Sequence, residues 1–192
     1  VVRVVGVDPG LTRCGLAAVE GATGTPARLL GVTVVRTSPA DDLAHRLCRL
    51  QDEVESFLDT YSPDAMAVEA VFSQQNTATV VSTAHASAVA VLVAGRRGVP
   101  VHTHTPTEVK AGVTGNGRAD KQQVARMVTA ILGLARPPQP VDATDALALA
   151  LAHLWQAPVR RRHAAASIVT RPGARPDRRP GTAAWSSPGS RR

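Results

Sequence analysis

The sequence predicts an α/β domain with a five-stranded mixed sheet, strands 1–3 antiparallel, and helices on both faces. Two patterns and one composition predict it. Three strand-like runs follow one another at the N-terminus with tight connections, as in an antiparallel meander. Helical periodicity then alternates with two further short apolar runs, which is how a mixed sheet acquires helices on both sides. The 192 residues are 44% apolar but only 3% aromatic, so Val, Leu and Ala must fill one sizeable core.

The strands read as 2–8, 14–20 and 28–37, the first two joined through the Pro9-Gly10 turn. A helix follows through Leu43, Leu47, Leu50, Val54, Phe57 and Leu58, with Ser38 or Asp41 as its cap. "DAMAVEA" after Ser62-Pro63 is a short strand ending in Glu69. Residues 75–95, rich in Ala, Ser, Thr and Val, form a helix that can approach a neighbour closely; a core helix and a dimer contact both fit. Within it, 78–95 is the most membrane-like window, but Ser82, Thr83, His85 and Ser87 interrupt it, so a buried helix is expected and no membrane partner. Residues 99–104 make the fifth strand, and Pro106 opens a short helix to 112. "TGNG" at 114–117 is a loop. Helices over 119–134 and 142–156 complete the domain, separated by "RPPQP".

The formal net charge of +7 divides unevenly. Residues 158–192 hold nine arginines and one acid, whereas residues 1–157 hold 13 basic and 14 acidic side chains. The tail lacks apolar periodicity and cannot offset its ordering entropy, so a domain at 1–157 followed by a disordered Arg/Pro-rich tail at 158–192 is expected. The high pI therefore belongs to the tail and says little about the domain. Inside the domain, residues 41–69 carry eight acids and residues 70–136 seven bases. Cys14 and Cys48 lack paired spacing, and no signal segment opens the chain. Both point to a reduced, cytoplasmic protein with buried thiols.

Phosphate-binding loops, Cys-x-x-Cys zinc pairs and Gly-x-Ser-x-Gly turns are all missing. His102 and His104 face one way on a strand, but two histidines alone rarely hold a metal. The carboxylates say more. Asp8 and Glu69 each end an apolar strand, and Asp142 and Asp145 open the last helix three residues apart, on one face. An acid in a first helical turn complements the dipole, and Asp142 as an N-cap would need no further explanation. That account does not extend to Asp8 and Glu69. Four converging acids repel and raise one another's pKa. Hard divalent cations such as Mg²⁺ or Mn²⁺ remove the objection, since they take oxygen ligands. Two of them about 3.5–4 Å apart can clamp an in-line displacement at phosphorus.

"VVGVDPGLTRCG", "AVEAVF", "HTPTEVKAGVTGNGRADKQQV" and "DATDALALALAH" together resemble the RuvC family of Holliday-junction endonucleases, of the RNase H-like superfamily. The four blocks cover residues 2–157 in order. The resemblance implies an RNase H-like fold and a homodimer that cuts two symmetric strands of four-way junction DNA. It implies Asp8, Glu69, Asp142 and Asp145 as ligands for Mg²⁺, two ions per site, with Lys121 beside the scissile phosphate. It further implies DNA contacts at Lys110, Arg118, Phe72, Gln74, Gln75 and Asn76, of which Phe72 would stack on unpaired bases. A RuvA-RuvB branch-migration complex is the implied partner. Residue 70 is Ala where many relatives carry a longer polar side chain. Competing readings are an RNase H-like nuclease for RNA or replication intermediates, a catalytically inactive DNA-binding module, and a nucleotide-binding domain of the actin and sugar-kinase type. The last also carries Asp-x-Gly after its first strand, but needs a second domain for which 192 residues leave no room.

Overall fold

The computed structural model describes residues 1–22, 25–71 and 77–169. The chain runs β1 (Val2–Asp8), β2 (Arg13–Gly21), β3 (Arg28–Arg36), α1 (Leu43–Tyr61), β4 (Ala65–Glu69), α2 (Thr77–Arg96), β5 (Val101–His104), α3 (Pro106–Thr114), α4 (Lys121–Ile131) and α5 (Val141–Val169). This is the order expected from the sequence. The strands form one sheet, β3-β2-β1-β4-β5. β1, β2 and β3 pair antiparallel, while β4 joins β1, and β5 joins β4, in parallel. Each parallel step requires a crossover, which α1 and α2 supply.

Successive strand residues face opposite sides, so the sheet has two cores. Val4, Ala17, Val19 and Ala67 pack against α3, α4 and α5. Val5, Val7, Leu16, Ala18, Met66 and Val68 pack against α1 and α2. The α5 side is the tighter. A Cβ added to Gly6 would lie 2.1 Å from the Ala146 carbonyl oxygen, and one added to Gly15 would lie 2.2 Å from that of Asp142. Strand backbone and helix backbone therefore touch, and Ala146 and Ala150, both fully buried, keep the helix face small enough for this.

Local signals differ from expectation in four places. Asp42, not Ser38 or Asp41, caps α1, accepting from the His45 amide. Cys14 is buried as expected but Cys48 is exposed, because it lies on the outward side of α1; both are free thiols. α2 is not wholly buried. Ala86, Ala90, Val93 and Ala94 enter the core, whereas Val81 and Leu92 stay 48% and 52% exposed. Its Thr79–Arg96 window is long and apolar enough to cross a membrane by length and composition alone. Finally, α5 does not stop at 156 but continues helically through the expected 157/158 boundary to Val169. The loss of apolar periodicity suggested a stop, yet the segment beyond 158 is rich in Ala and Arg, both strong helix formers.

Candidate active site

The carboxyl ends of parallel strands are where open α/β sheets place their ligands. β1 and β4 run in parallel register through Val7 and Val68, so Asp8 and Glu69 emerge side by side. Asp8 also pairs with Gly15 on β2, and Gly15 lies under the Asp142 carbonyl. The strand end and the first turn of α5 are thus brought together by backbone contact. Asp142 is the second residue of α5, inside its first turn and not its cap, and Asp145 follows one turn later. All four acids line one cavity of about 390 Å³, together with Lys110 and Lys121.

Lys121 is the first residue of α4, whose Asp120–Gln123 capping box fixes the start of the helix. Its ammonium reaches Asp145 Oδ2 at 3.4 Å. Arg13, at the start of β2, reaches Asp142 Oδ2 at the same distance. Burial and then the negative charges of Glu69, Asp145 and Asp142 push the Asp8 carboxyl up to about 7, with Lys121 pulling the other way. Glu69 is raised by burial and by Asp145. Asp145 is raised by burial, against the pull of Lys121. Such clusters of perturbed acids in a cleft mark functional sites.

The acids share a cavity without enclosing a point. Among the described residues, no three His, Cys, Asp or Glu side chains are gathered closely enough to hold an ion as they stand. Arg118 stands in the loop between α3 and α4, exposed, with its amide bonded to Asn116 Oδ1, and it does not line the cavity. Phe72, Gln74, Gln75 and Asn76 lie outside the described residues. His102 and His104 belong to the core instead of a metal site. His104, fully buried, bonds His153 of α5 at 2.9 Å, and His102 stacks on the same ring. Sequence reasoning missed Arg13; its only signal was a cation five residues after a strand-end acid.

A five-stranded mixed sheet with acids gathered at its carboxyl edge defines an RNase H-like α/β fold of the kind used by nucleases. Residues 4–153 match the family model described as crossover junction endodeoxyribonuclease RuvC, and the chain belongs to that family. The protein of that name from Streptomyces coelicolor is 59% identical over 160 residues, covering 83% of this chain and 85% of its own. The one from Frankia alni is 58% identical over 181 residues, 92% of each chain. Among solved structures, Thermus thermophilus RuvC in complex with Holliday junction substrate superposes with a TM-score of 0.80 at 37% identity, covering 83% of this chain and 97% of that one. The yeast mitochondrial Holliday junction resolvase Ydc2, at 11% identity and a TM-score of 0.59, shares the fold.

The raised Asp8 pKa predicts a pH signature. The unfolded chain releases this proton near 3.8 and the folded protein near 7. Between those values the folded state holds the extra proton, so rising pH destabilises it, and the effect is complete above about 7. In chelator, the unfolding free energy of the wild type, relative to Asp8→Asn, is expected to fall across that window and then level off. Parallel pH profiles for the two proteins would contradict the placement of Asp8.

Proposed function

We propose that this chain is a structure-specific endonuclease that resolves four-way Holliday junctions by symmetric, metal-dependent phosphodiester hydrolysis in homologous recombination and DNA repair. The observation that carries the reading is the meeting of Asp8, Glu69, Asp142 and Asp145, from three separate elements, on one cavity beside Lys121. Family membership and the likeness to a RuvC solved on its junction substrate support the same substrate class. The donor set suits hard divalent ions. It is all carboxylate oxygen, and burial, with repulsion from neighbouring acids, holds the Asp8, Glu69 and Asp145 carboxyls above their ordinary range. We assign Mg²⁺, two ions per site, with Mn²⁺ able to substitute; they would supply water activation and charge neutralisation at phosphorus.

Asp8, Glu69, Asp142 and Asp145 would hold the ions. Lys121, 76% exposed at the cavity rim, donates to a non-bridging oxygen of the scissile phosphate, and Lys110 adds positive charge to the same cavity. Phe72, Gln74, Gln75, Asn76 and Arg118 are assigned to the DNA on the family's pattern. Residues 1–157 form the nuclease module, in keeping with the family match over 4–153. Cutting two symmetric strands calls for two copies. The exposed stripe of α2, containing Val81, Ala84, Ala88 and Leu92, is the apolar surface we assign to the homodimer. On the same family placement we assign a branch-migration complex of the RuvA-RuvB type as partner and a cytoplasmic setting.

Cleavage rates on a four-way junction, a plain duplex and an RNA–DNA hybrid test the substrate. With Mg²⁺ the junction is expected to be cut fastest; Asp8→Asn is expected to bind it in chelator yet leave it uncut. Lys121→Ala should slow cleavage by about 10²–10³-fold, the usual cost of removing one donor to developing charge. Undiminished cleavage by Asp8→Asn, or faster cleavage of the hybrid, would overturn the reading. For the dimer, Leu92→Asp is expected to sediment as a monomer where the wild type sediments as a dimer; unchanged sedimentation would remove α2 from the interface.

A further inference from the structure

Arg13 and Arg36 stand directly opposite each other in the antiparallel β2–β3 register. Opposed residues of an antiparallel pair share a face of the sheet. Gly15 and Val32 show which face it is: the first lies under α5, and the second packs into the core on the α5 side. Both arginines are exposed at the end of the sheet where the acids meet. Two like charges placed opposite each other cost stability, and a surface ion pair returns little. Among the described residues Asp142 is ion-paired to Arg13 and not to Arg36, which has no ion-pair partner.

The backbone beneath them is held fast. The Thr37 amide donates to the Thr12 carbonyl at 3.1 Å. Arg46 of α1 donates to the hydroxyls of Thr37 and Thr12 at 2.9 and 3.0 Å, and the buried Thr37 hydroxyl donates to the Leu11 carbonyl at 2.5 Å. These bonds lie on the opposite face and clamp the residues adjoining each arginine. The two arginines are thereby held opposite each other on the backbone, with Arg13 ion-paired to Asp142. Planar guanidiniums match phosphate oxygens in a bidentate fork.

We propose that Arg13 and Arg36 form a binding site for a backbone phosphate of the DNA substrate, flanking the acid cavity on its Asp142 side as Lys121 flanks it on the Asp145 side. A phosphate between them converts the like-charge pair into a compensated one. The scissile strand is thus held on both sides of the point where it is cut. The proposal rests on the junction-binding reading given above.

Junction binding in chelator, followed by fluorescence anisotropy across a salt series, tests it with the full chain. Arg13→Ala/Arg36→Ala is expected to weaken binding and to reduce the slope of log K against log salt by about 0.9, the loss of one phosphate contact. The double lysine variant should recover most of that slope. Thermal unfolding of Arg36→Ala should be unchanged or raised, since a like-charge pair has been relieved. An unchanged affinity and slope in the double alanine variant would overturn the proposal. So would a changed Mg²⁺ requirement with an unchanged slope, which would assign Arg13 to Asp142 alone. A lowered melting temperature that accounts for the affinity loss would also overturn it, by making the role structural. Failure of the wild type itself to bind the junction would overturn the junction reading as well, so the two failures are distinct.

Discussion

The site depends on backbone touching backbone. α5 lies on β1 and β2 without intervening side chains, at Gly6 beneath Ala146 and at Gly15 beneath Asp142. Any side chain at either glycine would lift the helix, and the first turn of α5 carries two of the four acids. Packed interiors do not absorb such a shift cheaply. On the far edge of the sheet, β5 sits beside β4 with His104 paired to Glu69, and the His104–His153 bond returns to α5. The helix is therefore fixed at its start by glycines and further along by a buried ring-to-ring hydrogen bond. Between these points the backbone segments that carry Asp8, Glu69, Asp142 and Asp145 are held together.

That rigidity has an electrostatic cost. Three of the acids are pushed above their ordinary range, with burial the largest cause and mutual repulsion adding to it. A protein optimised only for folding would replace them with apolar residues, since buried charge rarely repays its desolvation. Lys121 offsets part of the repulsion, and Arg13 pairs with Asp142, but both cations are exposed, where solvent screens them. The net result is a cavity that favours added positive charge, which is the condition for holding divalent ions and, through them, a phosphodiester.

Much of this was legible in the sequence, because strand and helix periodicities are strong here and the acids fall at element ends. Asp8 and Glu69 each stop an apolar run, and that abruptness marks them without any structure. Element ends were less legible. Asp42 won the α1 cap over Ser38 and Asp41 because capping depends on which side chain meets a free amide, which spacing alone does not fix. The continuation of α5 past Pro158 and the half-open face of α2 were hidden for a similar reason: composition reports what a segment tolerates, not what lies beside it. Arg13 was missed since its meaning comes from register. Only once β2 is aligned under α5 does a cation at that position acquire Asp142 on one side and Arg36 on the other.

On the proposed function, the four acids act as one cation site in which Asp8 holds a proton that a metal displaces. Calorimetric titration with Mn²⁺ at about pH 6.5, repeated in buffers of different ionisation enthalpy, measures that proton directly. Mn²⁺ binding by the wild type is expected to release a proton, and Asp8→Asn to bind more weakly without that release. Equal binding and equal proton release by the two proteins would contradict it.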